Sequence, residues 1–230
     1  MKKISIYISL LCALLVTGCQ NELDNYDAPN GGIKGRILDA QTNEPIPLPV
    51  QGSTGVIINM FEQNTAATKS VDFYAKQDGS FENSKMFNGE YLLNASGPFI
   101  LTGQNPVTVK GQTSFDITAT PYARIQASAT ASGTTVSITY KVTPAKPEYA
   151  VTEVYGIWNF APGVDVGQAN LAGKKTVTAT EGTITFDLAS DNVFKTNLYK
   201  IQANGNKIYL RVGAKTAGFV NYSQVITVTL

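Results

Sequence analysis

Cys19 has the most clearly defined chemistry of any residue in this sequence. It ends the motif VTGC at residues 16–19, which follows two lysines and an apolar stretch at residues 4–15. A positive start, an apolar segment too short to remain as a membrane helix and small residues before a cysteine are typical of a bacterial lipoprotein signal. We therefore predict that residues 1–18 are removed and that the Cys19 thiol carries the lipid. The alternatives are a plain secretory signal and an amphipathic strand with a free cysteine.

Two aromatic clusters have the side chains that sugar binding needs, a flat ring for the apolar face of a pyranose and amide groups for its hydroxyls. The first, residues 155–160, contains the single tryptophan, and the second lies in residues 216–223. Because the loops of a β-sandwich gather at its two ends, the clusters can lie near each other. The candidate carbohydrate-binding residues are Tyr155, Trp158, Asn159, Phe160, Phe219, Asn221 and Tyr222.

Both clusters also have a packing interpretation. A lone tryptophan in a sandwich is often a core residue, so Trp158 can serve the core instead of a ligand. Successive side chains of a strand face opposite sides, so Tyr155 and Phe160 can each either pack in the core or bind a ligand. Phe219 can close the edge of the core at the tip of a hairpin. Binding and packing therefore both stay open for these residues.

The composition excludes several kinds of active site. The chain has no histidine and only two cysteines, Cys12 within the apolar stretch and Cys19. This removes Ser-His-Asp catalysis, thiol nucleophiles, thiolate metal sites and disulfides within the mature chain. The acids at residues 148–191 show no pairing of the kind that a glycosidase needs, and no acidic loop is clustered enough for calcium. We expect no enzyme, metal or cofactor, which leaves binding.

The charge balance argues against two classes of partner. With 18 basic and 17 acidic side chains, the net charge is +1. A nearly neutral chain gives no reason to expect nucleic acid or an anionic membrane face as a partner. The expected membrane contact is the lipid anchor alone, which can hold a folded protein at a bilayer without a transmembrane helix.

The segment after the predicted cleavage site, residues 19–30, is polar and acidic with little to bury. We predict a flexible tether. Acidic residues directly after a lipidated cysteine resemble the surface-export signal of lipoproteins from the Bacteroidota. The resemblance implies a lipid-anchored outer-membrane protein that faces the cell exterior. Linkers are often acidic without such a role, and then the protein faces the periplasm.

The rest of the chain shows a strand-and-turn pattern with almost no helical periodicity. Apolar and polar residues alternate most clearly at residues 136–142, 183–188 and 208–212, and weaker strands include 198–203 and 225–230. Glycine and asparagine between the strands supply tight turns. Short strands separated by such turns predict an all-β fold of antiparallel β-sandwiches.

Two consecutive sandwich domains are expected. A boundary near Pro121 is indicated because proline cannot donate a hydrogen bond to a sheet. The domains would be residues 31–120 and residues 121–230, each close in length to a seven-stranded sandwich. The second is expected to be of the immunoglobulin or fibronectin type.

Three motifs in the first domain carry a resemblance to a known type of sandwich. They are the opening strand and turn at residues 32–46, DGSF at 78–81 and NGEY at 88–91. Together they resemble the transthyretin-like, carboxypeptidase-regulatory type of domain. The resemblance implies a non-catalytic accessory domain that often acts as a spacer.

The order of signal, acidic tether and two sandwiches resembles a family of two-domain lipoproteins from the glycan-utilisation loci of gut Bacteroidota. The resemblance implies assistance in glycan capture, with a TonB-dependent porin and a starch-binding-type lipoprotein as partners. One alternative is a scaffolding lipoprotein of the porin complex that never contacts sugar. Another is an adhesin or fimbrial subunit that pairs through an edge strand at residues 225–230.

Overall fold

The computed structural model describes residues 28–230, and it is 55% strand and 9% helix. The predicted lipoprotein signal, Cys19 and most of the predicted tether lie outside the described residues. The strands form several sheets in which most neighbouring strands are antiparallel. The predicted all-β class of stacked antiparallel sheets is thereby confirmed.

The N-terminal half of the fold, up to Pro121, packs two sheets over one core. One sheet has the order β4-β1-β9-β6, with β8 paired to β1, and the other has the order β3-β2-β5-β7. Strand β1 runs parallel to β8 and β9, unlike its antiparallel partner β4. The strands are β1 (Gly31–Asp39), β2 (Ile57–Glu62), β3 (Val71–Tyr74), β4 (Ser80–Met86), β5 (Gly89–Ser96), β6 (Phe99–Leu101), β7 (Asn105–Val109), β8 (Gln112–Ser114) and β9 (Ile117–Pro121).

Alternation along these strands explains the core between the two sheets. In β2, Ile58 and Met60 are fully buried while Ile57 and Phe61 are exposed. The DGSF motif forms the turn into β4, because Gly79 adopts a φ of 87° and the Asp78 carboxylate accepts hydrogen bonds from Ser80. A positive φ of this size is easily adopted only by glycine.

The C-terminal half also packs two sheets face to face. One has the order β10-β11-β14, and the other has the order β13-β12-β15-β16, with β17 paired to β15. Alternate residues of β12 and β15 fill the space between the sheets. The elements are β10 (Ala123–Ser132), β11 (Thr135–Pro144), β12 (Val151–Asn159), β13 (Gly173–Val177), β14 (Glu181–Asp187), α1 (Asn192–Ala203), β15 (Lys207–Thr216), β16 (Phe219–Tyr222) and β17 (Ile226–Thr229).

The expectation of a strand at residues 198–203 was wrong, because these residues form the end of helix α1. The Asp191 carboxylate caps this helix by accepting hydrogen bonds from the backbone of Val193 and Phe194. Phe194 and Ile201, seven residues apart, are buried on one face. A short window starting at residue 198 contains neither the cap nor Phe194, so it misses the helical signal. Within residues 28–230, no helix is long and apolar enough to cross a membrane.

Candidate functional site

Arg211 on β15 lies fully buried where the two halves of the chain meet. Its Nε donates to the carbonyl oxygen of Ser223 at 2.7 Å, and its Nη1 donates to Leu48 at 2.8 Å and Val164 at 3.0 Å. Its Nη2 donates to the carbonyl of Gln77 at 3.3 Å. Burial lowers the pKa of Arg211 to about 10, so the group stays charged at neutral pH. Leu48 and Gln77 belong to the N-terminal half, so one guanidinium joins both halves.

Asp165, in the loop after β12, is the second buried charge at this junction. Its Oδ2 accepts hydrogen bonds from the Val50 amide at 2.9 Å and from the Thr54 hydroxyl at 3.3 Å. Its Oδ1 accepts from the Gly167 amide and the Asn170 side chain. These donors occupy both oxygens, so the carboxylate holds the loop against the N-terminal half.

Asn221 on β16 was predicted as a sugar ligand, but its amide is buried, and both its oxygen and its nitrogen are hydrogen-bonded at the same junction. Its oxygen accepts from the Ala123 amide at 3.0 Å, and its nitrogen donates to the Pro98 carbonyl at 2.8 Å. Arg124 adds a bidentate ion pair to Asp39, with both distances below 2.8 Å. Asn221 therefore positions the halves and does not face solvent.

Trp158 is a core residue, so the packing interpretation of this side chain is correct. Its ring is fully buried and lies edge-on to Phe194 of α1, with centroids 6.2 Å apart. The ring also covers Gly173 of β13, where an added Cβ would lie 2.2 Å from Nε1. A ring with no exposed surface cannot stack on a sugar, and its candidacy as a binding platform is corrected.

The neighbours of Trp158 are also mostly covered. Asn159 is buried, and its side chain donates to the Gly163 carbonyl and accepts from the Phe160 amide, which shapes the following loop. Tyr155 is 7% exposed. Its burial, and to a smaller extent its hydrogen bond to Glu153, raises the pKa of Tyr155 to about 12. Phe160 is half-buried against the core.

Tyr222, the third candidate of the second cluster, is 3% exposed. Its hydroxyl accepts a hydrogen bond from the Val166 amide at 3.2 Å. Its ring lies 4.6 Å from the Arg211 guanidinium, a distance that permits a cation–π contact. Tyr222 belongs to the second predicted aromatic cluster, and Val166 lies in the loop that follows the first. This hydrogen bond therefore links the two regions.

Phe219 is the sequence-predicted candidate that the structure leaves most exposed, at 44%. Its ring stacks on Tyr122, with centroids 5.1 Å apart and an interplanar angle of 4°. Tyr149 meets Tyr122 edge-on at 5.1 Å, and the Lys146 ammonium lies 5.6 Å from the Tyr149 ring. Tyr122 and Tyr149 were not among the predicted binding residues, although Tyr122 directly follows the proline at the predicted domain boundary.

Beside this stack lies a cavity of about 370 Å³ between the two halves, here called the junction cavity. Both halves line it, and every lining residue is uncharged. The binding site was predicted in the second domain alone, without the contribution of the first. The lining residues are Pro49, Thr54, Gly55, Ser96, Gly97, Pro98, Val166, Gly218, Phe219, Val220 and Tyr222.

A second cavity, of about 310 Å³, also lies between the halves. Its charged side chains include Asp39 and Arg124, which are already paired with each other. The junction cavity has the exposed aromatic ring, and it is the better candidate site. No group of acidic residues able to hold a metal ion occurs within residues 28–230.

Comparison with known proteins gives a family model and several solved structures. Residues 31–120 match the model described as "Protein of unknown function (DUF3823) N-terminal domain". A DUF3823 family protein from Parabacteroides merdae is similar over 88% of this chain and 100% of its own, with TM-score 0.72 and 20% identity. One from Bacteroides uniformis covers the same shares, with TM-score 0.69 and 21% identity.

A further Bacteroides uniformis structure, described as a candidate carbohydrate-binding protein, has TM-score 0.67 and 21% identity over 88% of this chain and 100% of its own. No curated protein matches the sequence. Likeness at these identities shows a shared fold.

Proposed function

We propose that this chain is a non-catalytic lipoprotein of the outer membrane that binds glycan in the junction cavity and assists a polysaccharide-utilisation system. The observation that carries the proposal is the exposed Phe219 ring, which Tyr122 supports from one side at the mouth of an uncharged cavity. A held aromatic ring offers area to the apolar face of a pyranose at little cost in conformational entropy. The Bacteroides uniformis neighbour described as a candidate carbohydrate-binding protein adds support.

The polar groups of the junction cavity suit sugar hydroxyls. Thr54 and Ser96 bring side-chain hydroxyls, and Gly218, where an added Cβ would meet nothing within 4 Å, leaves the backbone open to close approach. The Ser96 hydroxyl can donate and accept hydrogen bonds, and the Thr54 hydroxyl, which donates to Asp165, can still accept one; neither group carries charge. We infer an uncharged glycan as the ligand class.

The proposed location follows from the sequence. Cys19 carries the lipid, residues 19–30 form the tether, and the folded body faces the cell exterior. A TonB-dependent porin and a starch-binding-type lipoprotein are the proposed partners. Avidity with such neighbours would compensate for a weak single site.

Affinity electrophoresis tests the proposal directly. Residues 20–230 are run through gels containing dextran, pullulan, mixed-linkage β-glucan, arabinoxylan or galactomannan. We expect at least one glycan to retard the wild-type protein and Phe219→Ala to remove most of that retardation. Tyr199→Ala is the matched control, because Tyr199 is an exposed aromatic residue on α1, 65% exposed. Retardation by none of the glycans would reject the proposal.

One observation favours the alternative of a scaffolding role. Val193, Leu198 and Tyr199 of α1 are all more than a third exposed, and exposed apolar side chains can mark a protein contact. Co-purification from detergent-solubilised outer membranes separates the two functions. A scaffolding protein would co-purify with porin components and would bind no glycan. The Tyr199→Ala variant would no longer co-purify with those components.

A further inference from the structure

The outer face of the sheet β3-β2-β5-β7 points away from the core of the N-terminal half. Strand register arranges its side chains in rows across the sheet, and three successive rows extend from Tyr74 to Phe61, with Glu90 and Thr108 following as a fourth. The first three rows, here called the outer sheet face, are Tyr74–Ile57–Ser96, then Asp72–Asn59–Asn94, then Phe61–Leu92–Pro106.

The first and third rows expose apolar and aromatic surface. Tyr74 is 41% exposed, Phe61 is 38% exposed and Ile57 is 36% exposed. Rows on one face of a strand are two residues apart, so the first and third rows are separated by about 13 Å. That distance exceeds the length of one sugar ring, so the two rows would contact different residues of a chain.

The middle row is polar and fixed in orientation. The Asn59 side-chain nitrogen donates to Asp72 Oδ1 at 2.8 Å, and the Ser70 hydroxyl donates to the same oxygen at 2.6 Å. The hydrogen bonds from Ser70 and Asn59 lower the pKa of Asp72, which keeps the carboxylate ionised. Asn94 completes the row on the neighbouring strand.

The outer sheet face is continuous with the junction cavity. Ser96 belongs to its first row and also lines the cavity. Gly55 lines the cavity as well, and a Cβ added there would lie 3.1 Å from Cδ1 of Tyr74. An uninterrupted surface therefore runs from Phe219 past Tyr74 to Phe61.

We propose that the outer sheet face binds successive residues of a long, neutral, linear glycan whose chain also occupies the junction cavity. This inference rests on the proposed function and extends it from a pocket to a track across both halves. Rings at the two ends would stack on sugar faces, and the polar middle row would bond to hydroxyls between them. The N-terminal half is then a binding module and more than a spacer.

The order of the rows favours a glycan over a protein partner. Protein interfaces usually have an apolar centre and a polar rim, whereas this face has a polar row between two apolar rows. Its ionised group, Asp72, is negative, and Glu90 follows on β5 beyond Leu92. Acidic glycans would be repelled, so the ligand is expected to be neutral.

Calorimetric titration of residues 20–230 tests the inference, with the neutral glycan that gives the strongest retardation and with short oligosaccharides prepared from it. We expect affinity to rise with chain length. The double variant Phe61→Ala/Tyr74→Ala should weaken polysaccharide binding about three- to tenfold while leaving short-oligosaccharide binding unchanged. Phe219→Ala should weaken both, and Tyr199→Ala should weaken neither. Circular dichroism checks that each variant is folded.

The outcomes distinguish a failure of the inference from a failure of the proposed function. If Phe61→Ala/Tyr74→Ala binds polysaccharide as tightly as wild type while Phe219→Ala binds it more weakly, the outer sheet face does not bind glycan. The proposed site in the junction cavity would then be retained. Tighter binding to polygalacturonate than to neutral glycans would overturn the proposed ligand class. Binding of no glycan by the wild-type protein would reject both.

Discussion

Arg211 joins the two halves of the molecule through a single guanidinium group. Its donors meet backbone carbonyls of Leu48 and Gln77 in one half and of Val164 and Ser223 in the other. Removing a buried donor leaves such carbonyls without a hydrogen bond, and this costs more than the net value of the bonds. The orientation of the halves, and with it the junction cavity, depends on this residue.

We predict that Arg211→Met lowers the free energy of unfolding by about 3–5 kcal/mol, because buried carbonyls lose their donor. Urea denaturation of residues 20–230 measures the change. Arg36→Met is the matched control, since Arg36 pairs with Asp116 at 2.6 Å on an exposed surface. The control should lose much less, because exposed ion pairs contribute little. Equal losses would contradict the assigned role of Arg211.

Asp39 gives the junction a dependence on pH. Burial opposes its ionisation, but hydrogen bonds from Arg124 and the Gln41 amide outweigh burial and hold the pKa below its usual 3.8. A carboxylate whose pKa is lower in the folded state than in the unfolded state stabilises the fold at a pH above the unfolded-state pKa. This stabilisation is lost as the pH falls through the folded-state pKa.

We therefore expect Asp39→Asn to be less stable than wild type at neutral pH and to lose less stability on acidification below about pH 4. Thermal unfolding followed across a pH series measures both effects. Arg124→Gln, which removes the partner, should reduce the same acid-dependent loss. A wild-type acid profile in both variants would contradict the assignment.

The surrounding fold decides the role of Trp158. Its position in a strand next to a loop suited both a core and a binding role, and the sequence could not choose between them. The choice depends on α1, because Phe194 of this helix covers the ring. Tyr122 and Tyr149 could not be predicted as partners of Phe219, because only the folded chain brings such distant positions together.

The alternation of apolar and polar residues correctly predicted those strands that bury only one face. The segments 136–142, 183–188 and 208–212 were predicted as strands, and they lie within or overlap β11, β14 and β15. Each pairs with neighbours and buries alternate residues, which is the pattern that alternation detects. The helix α1 was missed because the strand prediction considered only residues 198–203, whereas the Asp191 cap and the buried Phe194 lie before that segment.

Asp191→Ala tests how much the N-terminal cap stabilises helix α1. Loss of the cap leaves the amides of Val193 and Phe194 without their acceptor and should lower the free energy of unfolding by about 1 kcal/mol. Urea denaturation measures this change. Asn192→Ala is the control at the next position, which does not cap the helix through its side chain and should change stability little. A loss equal to that of the control would contradict the capping role.

At the scale of the whole molecule, the candidate site lies between the halves and draws on both. The sequence indicated two consecutive sandwiches, yet nothing in it placed residues 49–55 or 96–98 beside Phe219. Their proximity follows from contacts of Arg211, Asp165 and Asn221 with backbone groups far away in the chain. Such contacts carry no short-range pattern, and therefore they could not be predicted.

The proposed lipid anchor concerns the location of the whole molecule. Cys19→Ser should abolish lipid attachment and release the protein from the membrane, and we expect no change in the folded body because Cys19 lies in the predicted tether. Labelled palmitate reports attachment, and protease treatment of intact cells reports exposure. Equal labelling of wild type and Cys19→Ser would contradict the anchor, and protection from protease would place the protein inside the periplasm.

Glycan binding between the two halves is measured most directly by mapping amide shifts in isotope-labelled residues 20–230 during titration with the neutral glycan that retards the protein in affinity electrophoresis. We expect the largest shifts around the junction cavity, at Thr54, Ser96, Gly97, Gly218 and Phe219. Phe219→Ala should remove these shifts at the same glycan concentration. Shifts confined to α1, or none with any neutral glycan, would contradict a glycan site between the two halves.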